Sequence, residues 1–311
     1  MFNLFKEKPK VGWALMFTEQ QVQLVGVKLL NSKCVNVFHH SFYPLDINSL
    51  QLLSEVKNTI RQTSHATLSI SISTALAHSQ IYYVDATLTV KQAQLYITNR
   101  IANELRLTAT EISVRAEKYN ENKQSGHQYF VAAIANKTLV QIQQFCKRLQ
   151  LQSKIIECRM LTLLWLAQVQ YKQALVNKNN KEININQRWG VLDLQGQRCS
   201  IALFQHDELI VQHTRMLAID NFNQRGIELL VESIFQTLKE YQFAEVSLFV
   251  LPDLFRLTMN QPLFKNCSAI TFLSLVLPPF IKVEQPPERL SSLFILTAAL
   301  CAKSLQVQTD V

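Results

Sequence analysis

The chain has 311 residues, of which 48% are hydrophobic and 17% are charged, and its net charge is +8. This composition excludes a disordered tail and a highly charged coiled coil, and the length suggests about two domains. The basic residues are spread along the chain without a recognition motif, so direct binding to nucleic acid is not expected. Only 6 residues are glycine, well below the usual ~7%. Glycine-rich phosphate loops are hard to build from so few, which argues against an ordinary nucleotide-processing enzyme.

The N-terminal segment MFNLFKEKPK bears on where the protein acts. It lacks the apolar run of a signal peptide, and no stretch approaches the ~20 apolar residues of a membrane helix, so we expect a cytoplasmic protein. Its two Phe, one Leu and three Lys suit a peripheral contact with the anionic inner face of a membrane. A flexible lead-in to the first strand is the alternative of equal weight. The scattered cysteines and histidines predict reduced thiols and no metal site.

In chain order, the first half begins with a predicted antiparallel meander and continues with a helix and a strand. A strand–helix–strand–strand unit follows, and its helix is indicated by the capping box of Thr89 and Gln92. The strands of the meander and the two elements after it are predicted at 11–17, 21–30, 34–43, 48–61 and 67–72. The later elements are strands at 78–84, 111–116 and 129–135, a helix ending at Leu149, a short strand at 154–157 and an apolar helix at 159–171.

The second half repeats this order after a polar, Asn-rich segment at 177–187. Its predicted elements are strands at 189–194, 199–205 and 209–216, a helix at 227–238, a strand at 246–251, a short helix at 253–259, a strand at 269–272 and a helix at 291–305. Each half therefore predicts the order β-β-β-α-β-α-β-α, and the first half carries an insertion after its fourth strand. This internal duplication is the most informative feature of the sequence.

The duplication predicts an α/β protein with two similar lobes. We assign residues 1–77 and 136–176 to the first lobe, 78–135 to an inserted subdomain, 177–188 to a polar loop or linker, and 189–311 to the second lobe. The apolar stripe behind the capping box predicts a packing face for the helix of the subdomain; it consists of Ala93, Ile97, Ile101 and Leu105.

Four stretches of the chain, taken in order, resemble the PilM/ComA family of type IV pilus and competence (DNA uptake) assembly proteins, which is related to FtsA. They are MFNLF-K-x-K-x-x-VG with VQLVGVKL, YFVAAIANKTLVQIQQFCKRLQLQSKIIECRMLTLLWL, VLDLQGQRCSIALFQHDELIVQHTRML, and LFILTAALCAKSL. The resemblance implies an actin-like ATPase fold, made of two RNase H-like lobes with a strand–helix–strand–strand subdomain inserted in the first. Each stretch alone is weakly specific, and their common order carries the resemblance.

The first phosphate loop of that family departs most from its pattern here. Gly12 is kept, but Ala14 stands where the resemblance implies the Asp that organises the magnesium–phosphate site. An alanine cannot coordinate Mg²⁺, even through water. Met16 stands in place of a glycine and Phe17 in place of a small residue, and both side chains would block the approach of a phosphate.

The other two loops are also altered. In the second loop Asp193 remains, Gln195 replaces a glycine, and Gly196 and Ser200 are candidate remnants of the nucleotide site. The third loop, at 251–253, has no glycine pair. The resemblance with these losses implies a pseudo-ATPase without catalytic residues and without an expected cofactor; weak binding of ATP and Mg²⁺ stays open. A turn-capping role for Asp193, and turn or packing roles for the two retained glycines, are the alternatives.

The resemblance also implies a function and a partner. PilM-like proteins bind the cytoplasmic tail of PilN, a bitopic inner-membrane protein, in a groove between the first lobe and the inserted subdomain, which corresponds to about 67–135 here. We therefore expect a cytoplasmic scaffold at the inner face of the inner membrane that links a PilN-like protein to the pilus platform, with a motor ATPase as a second candidate partner. The alternatives are an active actin-like ATPase and an FtsA-like membrane-associated filament protein.

Overall fold

The computed structural model of the protein describes most of the chain. The described residues are 10–18, 21–44, 50–60, 63, 66–73, 76–122, 126–149, 153–176, 188–217, 224–260, 269–284, 286 and 291–306. The N-terminal segment 1–9, for which a membrane contact and a flexible lead-in are the two alternatives, and the polar segment 177–187 lie outside the described residues.

The described elements follow the predicted order closely. Up to residue 176 they are β1 (Val11–Phe17), β2 (Gln21–Asn31), β3 (Cys34–Pro44), α1 (Leu50–Ile60), β4 (Thr67–Ile72), β5 (Ala77–Val84), α2 (Val90–Leu105), β6 (Ile112–Asn122), β7 (Gly126–Ala135), α3 (Asn136–Leu149), β8 (Ser153–Cys158) and α4 (Arg159–Val176). The later ones are β9 (Arg188–Gln195), β10 (Arg198–Gln205), β11 (Glu208–Met216), α5 (Gln224–Glu240), β12 (Val246–Val250), α6 (Pro252–Met259), β13 (Ile270–Ser274), β14 (Ile281–Val283) and α7 (Ser292–Ser304).

Two of the three sheets repeat one topology. The first has the order β14-β3-β2-β1-β4-β8 and the second has the order β11-β10-β9-β12-β13. In each sheet the first three strands of the repeat pair antiparallel as a meander, and the last two join in parallel beside its first strand. Parallel neighbours require a crossover connection, and helices α1, α3, α5 and α6 lie in these crossovers. The strand order therefore bears out the predicted duplication.

The third sheet is small and has the order β5-β7-β6. Helix α2 covers it and starts at the predicted capping box, in which Thr89 and Gln92 satisfy each other's backbone N–H groups. Ala93, Ile97 and Ile101 of the predicted stripe are buried in a separate small core. Strands β6 and β7 run further than the strands predicted at 111–116 and 129–135, since β6 continues to Asn122 and β7 starts at Gly126.

The end of the chain returns to the first lobe. Strand β14 pairs with β3, and α7 packs on the first sheet, where Thr297 donates a hydrogen bond to Gln23 over 2.9 Å. Our assignment of all residues 189–311 to the second lobe is therefore wrong over 281–304. The physical reason is that the apolar face of the first sheet, including Ala14 and Val25, needs a cover, and α7 is almost entirely buried against it.

The main hydrophobic core runs through both lobes. Trp189 of β9 stacks on Tyr171 of α4, with ring centroids 4.6 Å apart, and on Phe204 of β10 at 4.0 Å. Trp189 is fully buried and belongs to the same apolar cluster as Trp13 and Phe17 of the first sheet. Because the two lobes share this core, α4 joins them as one packed body rather than as two independent units.

Candidate functional site

A cleft between the two lobes has a volume of about 330 Å³. Helices α4, α6 and α7 all begin at this cleft, since Arg159, Asp253 and Ser292 line it. The first turn of a helix presents unpaired N–H groups, so this place is electrostatically suited to an anion. Asp193 of the second altered loop and Leu251 and Asp253 of the third line this cleft.

Asp193 lies in this cleft and is already paired. The guanidinium of Arg159 binds its carboxylate in a bidentate manner, with Nε donating to Oδ2 over 3.0 Å and Nη2 donating to Oδ1 over 2.9 Å. Only 7% of the Arg159 side chain and 1% of the Asp193 side chain are exposed. A buried carboxylate needs such a partner. The protein therefore supplies its own cation to the one acidic residue that the altered loops retain.

The four residues named for the first altered loop do not line the cleft, although Thr18, the residue that follows them, does. Ala14, Met16 and Phe17 are fully buried in β1, and Phe17 packs edge-on against Phe145 of α3. Gly12 lies under α7, where an added Cβ would be 3.1 Å from Cys301 Sγ. The glycine therefore serves the close packing of a helix on the sheet, in line with the packing alternative for Gly12.

The residues of the second loop form an ordinary hairpin. Gly196 has a φ of +52°, in the left-handed region that favours glycine, and makes the turn between β9 and β10. Gln195 pairs with Arg198 in the same hairpin. Ser200 lies opposite Asp193 in the register, but its hydroxyl is hydrogen-bonded to Thr214 over 2.7 Å. Of the four candidate remnants, only Asp193 lines the cleft.

The third loop closes the rim of the cleft. Asp253 Oδ2 accepts hydrogen bonds from the Ser292 hydroxyl over 2.6 Å and from the Ser292 N–H over 3.2 Å, so an aspartate of the second lobe binds the first residue of α7, whose N-cap is Ser291. In return, the Ser292 hydroxyl accepts a hydrogen bond from the Asp253 N–H over 3.2 Å. Two of the first N–H groups of α7, those of Ser292 and Phe294, are thus satisfied by Asp253 and by the Ser291 hydroxyl, where an incoming anion would otherwise bind.

A second concave site lies between the first lobe and the inserted subdomain and has a volume of about 410 Å³. We call it the groove. Strand β8 and helices α3 and α4 form its first-lobe wall, and strands β6 and β7 form its subdomain wall. Its lining is mostly apolar and includes Ile155, Ile156, Leu161, Phe130, Ala132 and Ile134. Ile156 is 36% exposed. This is the groove that the resemblance implies.

A buried polar contact fixes the inner end of the groove. Glu157, at the end of β8, accepts hydrogen bonds from the Thr162 hydroxyl over 2.6 Å and from Lys303 Nζ over 2.7 Å, and its side chain is 8% exposed. The next residue, Cys158, is fully buried, and burial raises the pKa of its thiol. The thiol is therefore a packing group rather than a reactive one.

Sequence reasoning missed Arg159, Glu157 and Lys303. One signal was available for Arg159, because it directly precedes the apolar run MLTLLWLA and a charged residue at such a place is rarely buried unless it is paired. No sequence signal links Glu157 to Lys303, which is 146 positions away.

Two further findings concern metals and membranes. Among the described residues, no group of three or more His, Cys, Asp or Glu side chains is arranged to hold a metal ion. Within the same part of the chain, no helix combines the length and the apolar character needed to cross a bilayer.

This architecture is similar to that of several solved structures. No protein-family model and no curated protein matches the sequence. Among solved structures, a PilM–PilN type IV pilus biogenesis complex matches with a TM-score of 0.63 at 14% identity over 95% of this chain and 98% of that chain. A Bacteroides thetaiotaomicron protein with an actin-like ATPase fold and unknown function matches with a TM-score of 0.52 at 13% identity, over 88% of this chain and 94% of that one.

A third structure belongs to another membrane-associated machine. The cytoplasmic domain of EpsL, an inner-membrane component of the type II secretion system of Vibrio cholerae, matches with a TM-score of 0.51 at 8% identity over 94% of both chains. At these identities the likeness establishes architecture alone. The chain therefore has the actin-like ATPase fold, as the resemblance in its sequence implied.

Proposed function

We propose that this protein is a cytoplasmic scaffold of a type IV pilus or competence inner-membrane platform, and that it binds the cytoplasmic tail of a PilN-like membrane protein in the groove. The observation that carries the proposal is an open apolar groove between the first lobe and the inserted subdomain, in a fold shared with a PilM–PilN complex.

The groove suits an extended peptide. Strand β8 ends the order of the first sheet and β6 ends the order of the third, so each presents an edge among the described strands. An extended segment can add main-chain hydrogen bonds to such an edge while its alternate side chains enter apolar pockets. Phe130 and Ile156, on opposite walls, supply apolar surface of the kind that would receive them.

We further propose that the interlobe cleft is a degenerate nucleotide site and that the protein is a pseudo-ATPase. Two contacts support this. Arg159 forms an ion pair with Asp193, and Asp253 accepts a hydrogen bond from Ser292 at the N-terminus of α7. Ala14 offers no oxygen ligand, so Mg-ATP would have to use the Asp193 carboxylate to hold its metal. Binding would then break the buried ion pair and would have to replace both of its hydrogen bonds. A tail-bound scaffold of this kind would act in the cytoplasm at the inner face of the inner membrane.

Calorimetric titration tests both halves of the proposal. The probe is a synthetic peptide of the N-terminal cytoplasmic tail of the PilN-like protein encoded in the same genome, titrated with and without Mg-ATP, with a peptide of scrambled order as the control. We expect micromolar or tighter binding of the native peptide, about −8 kcal/mol, that Mg-ATP does not change.

Other outcomes separate the alternatives. Binding that requires Mg-ATP would overturn the degenerate site and favour an active actin-like ATPase. Absence of binding in both conditions would overturn the scaffold role, and equal binding of the scrambled peptide would show that the groove does not read a sequence.

A further inference from the structure

Both walls of the groove are tied to the second lobe by buried polar contacts. The first-lobe wall is tied through three consecutive residues at the end of β8. Glu157 and Cys158 line the groove, and Arg159, directly after them, forms the bidentate pair with Asp193 of β9. A bidentate guanidinium–carboxylate contact fixes orientation as well as distance.

The subdomain wall is tied through β5. Gln212 of β11 is fully buried, and its Nε2 donates to the main-chain oxygen of Ser79 over 2.7 Å and lies 3.2 Å from the Ser79 hydroxyl. The Tyr83 hydroxyl donates to the main-chain oxygen of Ile210 over 3.0 Å. Strand β5 pairs along its length with β7, which lines the groove with Phe130 and Ile134.

The two ties start from the same sheet. Asp193 lies on β9 and Gln212 on β11, and β10 joins these strands by continuous antiparallel pairing. The second lobe thus contacts one wall of the groove with each of two strands of a single sheet. A packed sheet transmits a displacement rather than absorbing it, because protein interiors have low compressibility.

We infer that the second lobe sets the width of the groove, and that Asp193 and Gln212 are positioning residues for the peptide bound there, although neither lines the groove itself. The inference rests on the proposed function only for the identity of the occupant. On this inference the degenerate cleft has a structural role, because its Arg159–Asp193 pair holds the end of β8 in place.

Two variants remove one tie each. The double variant R159M/D193L replaces both charges by apolar side chains of similar size and leaves no unpaired buried charge. The variant Q212L removes the donor to Ser79. The matched control is R215M. Arg215 lies on β11 of the same sheet, and the variant breaks its exposed contact with Glu240 of α5. If the double variant does not fold, R159K, which keeps both charges of the pair but loses its bidentate geometry, replaces it.

Hydrogen–deuterium exchange of the free protein is the first measurement. With either tie removed, we expect the amides of 153–158 or of 126–135 to exchange about tenfold faster than in the parent protein. We expect the exchange of β12, in the centre of the second lobe, and the exchange of the control variant to stay as in the parent. Unchanged exchange in both walls of folded variants would overturn the inference.

Affinity for the PilN-like tail peptide is the second measurement. We expect about tenfold weaker binding to each tie variant and unchanged binding to the control. Parent-like affinity of both tie variants would overturn the inference while leaving the proposed function intact. If the parent protein binds no peptide, the proposed function fails, and the exchange experiment still decides whether the second lobe holds the two walls.

Discussion

The interlobe cleft and the groove are similar in volume, at about 330 and 410 Å³, and opposite in chemistry. In the cleft the carboxylates of Asp193 and Asp253 already bind Arg159 and Ser292 of the other lobe. In the groove the lining is mostly apolar, with Arg115, Glu117 and Glu157 as its charged members, and Ile156 is 36% exposed on an edge strand. The polar groups of the cleft are satisfied from within, whereas the apolar groups of the groove gain free energy only when another molecule covers them.

The comparison shows how one fold can hold a cleft that is satisfied by internal contacts beside a groove that is open to another molecule. In the cleft, the carboxylates are bound by Arg159 and Ser292, and the lobes pack around Trp189 as one core. The groove borders the cleft through the sequence Glu157–Cys158–Arg159, so the residues that close one site also shape the other. Fully satisfied polar contacts of this kind make the packing of the two lobes more rigid.

The largest expected effect comes from breaking the Arg159–Asp193 ion pair in the cleft. The variant R159M leaves Asp193 buried without a partner and is expected to lower the free energy of unfolding by about 3–5 kcal/mol. The double variant R159M/D193L removes the uncompensated charge and is expected to recover most of that loss. Urea unfolding followed by circular dichroism measures both. A single variant as stable as the parent would contradict a closed cleft.

A second expected effect is the pH dependence of the free energy of unfolding, which depends on His213, the residue after Gln212 on β11. Burial and Arg215 lower the pKa of His213 to about 4, whereas the unfolded chain has its usual value of about 6.5. Between these values the unfolded state binds more protons, so the free energy of unfolding is largest above pH 6.5 and falls as the pH drops towards 4. We expect His213 to account for about 2–3 kcal/mol of that fall.

The variant H213Q isolates this contribution, because glutamine stays neutral and still reaches Thr237, the present neighbour of His213 at 3.3 Å. Its free energy of unfolding, measured with urea at about pH 7 and pH 5, is expected to change less than that of the parent. Burial also lowers the pKa of His78, so a smaller slope remains. An H213Q slope equal to that of the parent would disprove the assignment.

The smallest effect on stability, and one confined to binding, comes from the groove. The variant I156S removes an exposed aliphatic side chain from the wall and is expected to weaken binding of the PilN-like peptide about tenfold, or by about 1.4 kcal/mol. The control V276S removes an aliphatic side chain that is 50% exposed and lies outside the groove lining. Fluorescence anisotropy of a labelled peptide measures both. Equal affinities of the two variants would place the peptide elsewhere.

Much of the fold follows from local sequence. Apolar runs bounded by short polar turns predicted β1 to β3 and β9 to β11, and Thr89 with Gln92 located the start of α2. Strand β14, three residues long, has too little pattern to detect and exists because β3 offers it an edge. The return of α7 to the first lobe also escaped prediction, because an almost wholly apolar helix does not indicate which sheet it covers.

The sites divide in the same way. The sequence by itself determined the duplicated strand order, the inserted subdomain and the absence of a carboxylate at Ala14, because each is a property of local pattern or residue type. Only the tertiary structure decided that Arg159 neutralises Asp193, 34 positions away, and that Gln212 holds Ser79, 133 positions away. Such contacts depend on how α4, β9, β5 and β11 pack, and packing joins residues whose separation along the chain carries no signal.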